Sequence, residues 1–226
     1  MSIALAHKRK MRQLQQEAEQ KQPESLETGT VEKPVLTQAD LAKSSTDLDA
    51  DLTALRAIPD HKDRDELKKQ LIEKYRQPVM EIMKDYGSFA GQKLVFWWIM
   101  WRLDVEGFEP VQADMLVGVE KGLTTEEPFS RDFATLYLDS VQDFTAAGMK
   151  SGADFDESYL NGAIAMLESG KVITNDAVKS KLYVCHGRLA LARDDNKVAI
   201  DSLEKALKYN DKAGVKTDLK KAKAKG

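Results

Sequence analysis

One cysteine, Cys185, stands among 226 residues. No internal disulfide framework can form, and the chain suits a reducing compartment. Glycine and proline are sparse, 13 and 6 residues, which excludes a collagen-like or linker-dominated chain. Aromatics make up 7%, hydrophobic residues 42% and charged residues 31%. That balance describes a foldable chain with a very polar surface, sized for one domain or two small ones. Long apolar runs are also missing. The longest, Leu94 to Trp101, is bounded by Lys93 and Arg102 and would cover about 12 Å as a helix. A bilayer core needs about 30 Å, so the run reads as a buried helix and no membrane partner is expected. At the N-terminus, Ile3 to Ala6 is followed at once by charge, so no signal-peptide core is expected.

Catalytic signatures are missing too. There is no G-x-x-x-x-G-K-[ST] phosphate cradle, no G-x-S-x-G elbow, no H-E-x-x-H and no C-x-x-C. His7, His61 and His186 fall in three separate segments. Cys185 and His186 are adjacent, which sets their side chains about 100° apart on a helix and excludes a nucleophile–base pair. Four acidic groups could in principle serve a metal nuclease: Asp47/Asp49/Asp51, Asp63/Asp65/Glu66, Asp154/Asp156/Glu157 and Asp194/Asp195. The first fans around a helix. The second suits a helix first turn, and the others suit turns and helix starts. None has a Lys or His placed to complete a nuclease motif. No catalytic residue, metal or cofactor is expected.

What the sequence has is charge at its ends. The formal net charge is only −3. Residues 1–22 hold five basic residues against two acidic ones, and residues 212–226 hold six lysines against Asp218. The ends therefore carry +3 and +5, and residues 23–211 carry −11. Basic arms on an acidic body suit a polyanion such as nucleic acid, or are solvated tails that only keep the chain soluble. Lys8, Arg9, Lys10 and Arg12 cover most of the circumference of a short helix, and Lys216, Lys220, Lys221 and Lys223 crowd the other end. These are the candidate DNA-binding residues, through phosphate contacts that give affinity without sequence information; the C-terminal lysines equally suit an acidic protein partner.

Between the ends the patterning is helical throughout. Residues 1–22 read as a basic helix and 23–36, with Pro23, Gly29 and Pro34, as a linker. Residues 37–87 read as an antiparallel helical hairpin. Thr37 and Asp40 form a capping-box start, Pro59 ends the first helix, and Asp60 caps the second. Pro78 should kink that second helix. Leu41, Leu48 and Leu55 recur every seven residues with Leu52 beside them, and Leu67, Leu71 and Tyr75 mark the facing helix. The seam is narrow, so these seven are the candidate oligomerisation residues; the alternative is that the hairpin packs by this face on its own C-terminal body. Residues 88–211 read as a helical body. Trp97, Trp98 and Trp101 lie on a helix apolar nearly all round, which marks core rather than a base-stacking platform. Further helices are expected at Val111 to Val119, Phe129 to Met149 and Tyr159 to Leu167. Leu182 to Leu191 and Val198 to Leu207, with Gly187 and Ala190 as small contacts, look like one tetratricopeptide helix pair. Residues 212–226 read as a basic tail. The fold class is all-α.

In order along the chain, several segments resemble the small terminase subunit of Peduovirus-type tailed bacteriophages. They are His7-Lys8-Arg9-Lys10-Met11-Arg12-Gln13-Leu14-Gln15-Gln16, Leu52-Thr53-Ala54-Leu55-Arg56-Ala57-Ile58-Pro59, Phe96-Trp97-Trp98-Ile99-Met100-Trp101 with Leu103 to Gly107, and Asn210-Asp211-Lys212-Ala213-Gly214-Val215-Lys216-Thr217. The extreme C-terminus departs from the family, being Lys/Ala-rich with few arginines. The resemblance implies a DNA-packaging protein of the host cytoplasm. It would bind the packaging site on double-stranded phage DNA, assemble as a homo-oligomeric ring, and recruit and regulate the large terminase subunit. That partner carries the ATPase and the cutting activity. The family is sometimes labelled the terminase endonuclease subunit, yet no nuclease constellation supports an enzyme here. The rival readings are a helical adaptor that never touches DNA, and a terminase subunit with its own metal-dependent endonuclease.

Overall fold

Nine helices follow one another in a computed structural model that describes residues 37–152 and 154–225. They are α1 (Gln38–Ala57), α2 (His61–Asp85), α3 (Lys93–Glu106), α4 (Gln112–Glu120), α5 (Phe133–Ser151), α6 (Ser158–Glu168), α7 (Asp176–Ala192), α8 (Asn196–Tyr209) and α9 (Lys216–Lys225). No strand occurs among the described residues, so the fold is all-α as the patterning predicts.

Local chemistry sets the helix starts. Thr37 and Asp40 close a reciprocal capping box on α1. The Asp60 carboxylate accepts from the backbone N–H groups of Lys62 and Asp63 to open α2. Asp132, Asn175 and Asp195 cap α5, α7 and α8 in the same way. Helix α5 begins at Phe133, not at Phe129 as the hydrophobic spacing suggests. Asp132 accepts from the Thr135 N–H and the Thr135 hydroxyl, and this fixes the helix start four residues later. Phe129 instead packs edge-on against Phe96 and Trp97. Pro78 lies inside α2 and is buried, and the helix continues through it.

The hairpin is antiparallel. Asp51 of α1 meets Lys74 of α2 at 2.6 Å and also accepts from the Tyr75 hydroxyl. Nearer the open end, Leu41 faces Ile82 and Tyr86 across one small cleft. The hairpin does not stand apart from the body. Leu48, Leu52, Leu55, Leu71, Ile72, Tyr75, Val79 and Ile82 share one continuous core with α3. Helix α3 buries nearly its whole circumference, including Trp98 and Trp101. The Trp98 indole N–H donates to the Ile72 carbonyl at 2.9 Å, and Arg102 lies over the Trp98 ring while pairing with Glu106 and Asp114. Trp97 is only half-buried.

At the far end α7 and α8 cross closely. A β-carbon on Gly187 would sit 2.7 Å from Leu203 Cγ, so only glycine permits this approach. The buried Ser180 hydroxyl donates to the Ala206 carbonyl at 2.9 Å across the same crossing. Within the basic C-terminal segment, Lys216–Lys225 form a packed helix. Val215 and Ala222 are buried and lay α9 along α8. A helix this short is marginal alone, so tertiary packing is what orders it.

Candidate nucleic-acid interface

Helix α9 displays the C-terminal lysines. With Val215, Leu219 and Ala222 turned inward, helical spacing places Lys216, Lys220 and Lys223 along one flank and Lys221 with Lys225 along the other. All five are exposed. Lys223 pairs with Glu204 at 2.6 Å and Lys225 with Asp194 at 2.8 Å. The Lys225 ammonium holds the Asp194 carboxyl below its ordinary range. Lys216, Lys220 and Lys221 have no carboxylate partner among the described residues. Lys216 and Lys220 sit about 6 Å apart along the helix axis. They can meet phosphate oxygens without first breaking an ion pair. The other candidates, Lys8, Arg9, Lys10 and Arg12, lie outside the described residues.

The seven proposed oligomerisation residues do not share one exposed stripe. Leu48, Leu52, Leu55, Leu71 and Tyr75 are buried within the chain itself, while Leu41 and Leu67 are partly buried against the same core. Heptad spacing marked a covered stripe, and the cover is the chain's own α3.

Lysines and arginines near the hairpin turn are largely spent on structure. Arg64 donates to the Ile58 carbonyl. Lys68 sits 3.0 Å from both Asp65 and Asp104. Arg56 and His61 line the cleft beside them.

Most of the acidic candidates are likewise occupied. Asp51 is held by Lys74 and Tyr75, and Asp49 by Lys93. Asp156 accepts from Ser158, whose hydrogen bonds lower its carboxyl. Among the described residues no three His, Cys, Asp or Glu side chains are grouped as metal ligands would be. Cys185 is buried, which pushes its thiol up to about 11. His186 turns instead to Ser202, with Nδ1 2.8 Å from the hydroxyl, and burial holds its pKa down.

One feature escaped sequence reasoning. A cleft of about 520 Å³ opens where α6, α7 and α8 meet. Tyr183 and Tyr209 stack at 5.9 Å and 11°. Lys179 lies over the Tyr209 ring and Lys205 over the Tyr183 ring. Burial pushes the Tyr183 hydroxyl up to about 12. The signal was present as two i, i+4 pairs, Lys179/Tyr183 and Lys205/Tyr209, but their convergence depends on how α7 crosses α8.

The described residues define an all-α protein. A model of the phage small terminase subunit family matches residues 45–175, more than half of the chain. The chain belongs to that family, and membership implies a role in packaging phage DNA. The matched segment runs from within α1 to Asn175, the cap of α7, leaving α7–α9 outside it. No curated protein and no solved structure matches the chain. No helix among the described residues is long and apolar enough to cross a membrane.

Proposed function

We propose that this chain is a small terminase subunit of the Peduovirus type, acting in the host cytoplasm to select the phage packaging site for the motor. The family match over residues 45–175 carries the reading. The charge distribution supports it, because an acidic body repels DNA and confines capture to the basic ends. In this division of labour residues 1–22 bind double-stranded DNA through Lys8, Arg9, Lys10 and Arg12. Residues 23–36 let that arm reach, and α9 adds Lys216, Lys220, Lys221 and Lys223. Residues 37–87 assemble copies into a ring through the hairpin's outer surface, since its inner face is already covered. A ring multiplies weak phosphate contacts into useful avidity. The body, residues 88–211, presents the tetratricopeptide-like α7–α8 pair to the large subunit, which supplies ATPase and nuclease. The chain itself regulates and does not cut.

Deleting residues 1–22 tests the reading. Affinity for packaging-site DNA should fall steeply. The slope of log affinity against log salt should shrink by about 0.9 for each phosphate contact removed. Binding that survives with an unchanged slope removes the arm from the mechanism. Nicking of DNA by the purified chain with magnesium or manganese would favour the endonuclease reading instead.

A further inference from the structure

We propose that the cleft between α6, α7 and α8 docks a short acidic peptide carrying an aliphatic anchor, presented by a partner protein. The inference rests on the reading that the chain recruits another protein, and it names the chemistry of the segment recruited.

Three observations converge on it. First, the lining of the cleft is net basic. Lys179, Lys205 and Lys208 line it against the single carboxylate of Glu168. Lys208 has no carboxylate partner among the described residues. Lys179 and Lys205 pair with Asp176 and Asp201 of their own helices, and Lys205 also with Glu168. Such solvent-accessible pairs are weak, so a partner's carboxylates can displace or share them. Second, the floor and rim are apolar. Ile173 is 81% exposed at the rim, beside Leu167 and Val172. Beside a cleft lined by polar groups, such an apolar side chain offers a contact for a partner's aliphatic anchor. Third, the wall is rigid. The stacked Tyr183–Tyr209 pair has a cation over each ring, and aromatic pairs of this kind anchor interfaces at low entropic cost.

A peptide fits these features better than a nucleic acid. Phosphates have no use for Ile173, Leu167 and Val172. A volume of about 520 Å³ holds a few side chains, not a duplex.

Fluorescence anisotropy with the full chain tests the proposal. The probe is a fluorescein-labelled twelve-residue peptide of Asp and Glu with one central leucine. Binding is expected with a dissociation constant of roughly 10 μM. Lys208→Glu and Ile173→Ser are surface changes that leave the helical signal intact, and each should weaken binding about tenfold. Replacing the central leucine with serine should weaken it by about the same factor. Packaging-site DNA binding, measured in parallel, should not change with Ile173→Ser. No binding up to millimolar peptide would overturn the proposal. So would binding indifferent to both substitutions, or displacement of the peptide by a single-stranded oligonucleotide of equal length. Loss of duplex binding by the unmodified chain would count against the DNA-packaging reading and leave the cleft result standing.

Discussion

The Lys223 ammonium lies 2.6 Å from a Glu204 carboxylate oxygen and helps to hold α9 on α8. Both side chains are about half exposed, so this pair contributes only ~0–1 kcal/mol. The register of α9 is set by Val215, Leu219 and Ala222. The lysines of its exposed flanks are therefore a fixed array. Replacing Lys216, Lys220 and Lys221 together by alanine should leave thermal stability nearly unchanged. DNA affinity should drop, with a salt slope shallower by up to about 0.9 per lost contact. Lys223→Ala alone should make the slope shallower by less than one full contact, because Lys223 must first give up Glu204 to meet a phosphate. Titration of labelled duplex at several salt concentrations measures both.

Gly187 and Leu203 define the α7–α8 crossing. Gly187→Ala places a methyl group 2.7 Å from Leu203 Cγ. Overpacking of this kind costs about 1–3 kcal/mol, and urea unfolding should show it as a lower midpoint at unchanged slope. Gly162, where an added β-carbon meets nothing within 4 Å, is the control. Gly162→Ala should be neutral or slightly stabilising by helix propensity.

Leu48 separates a core role from an assembly role. It is fully buried within the chain. Leu48→Ala should cost about 2–5 kcal/mol of folding stability, seen equally at low and high protein concentration. A seam between copies would instead give a loss that vanishes as concentration rises.

His186 gives the fold a pH dependence of defined sign. Burial against Ser202 depresses its folded pKa below the ordinary 6.5. The unfolded chain therefore binds the proton more readily, and stability is lost as pH falls below about 6.5. His186→Gln should flatten that part of the stability profile between pH 6.5 and 5. Chemical denaturation at half-unit intervals would read the change.

Much of this fold is legible in the sequence because its signals are local. Thr37 with Asp40, Asp60 before α2 and the all-round apolar α3 each act within a few residues, and each falls where patterning puts it. The remainder depends on which distant surfaces meet. Leu48 and Leu55 announce a covered stripe, but spacing does not say that α3 is the cover. Ala222 and Val215 look like filler in a lysine-rich tail until α8 lies under them. Tyr183 and Tyr209 sit on different helices, and only the close approach at Gly187 stacks them. Of the candidate DNA-binding residues, the structure places the C-terminal four on one helix.

Mass determination by light scattering, with and without duplex DNA carrying the packaging site, tests the central claim most directly. The account predicts a species several times the 25.3 kDa chain that gains mass and co-elutes with the DNA. A 25.3 kDa species that elutes separately from the DNA at micromolar concentration would contradict it.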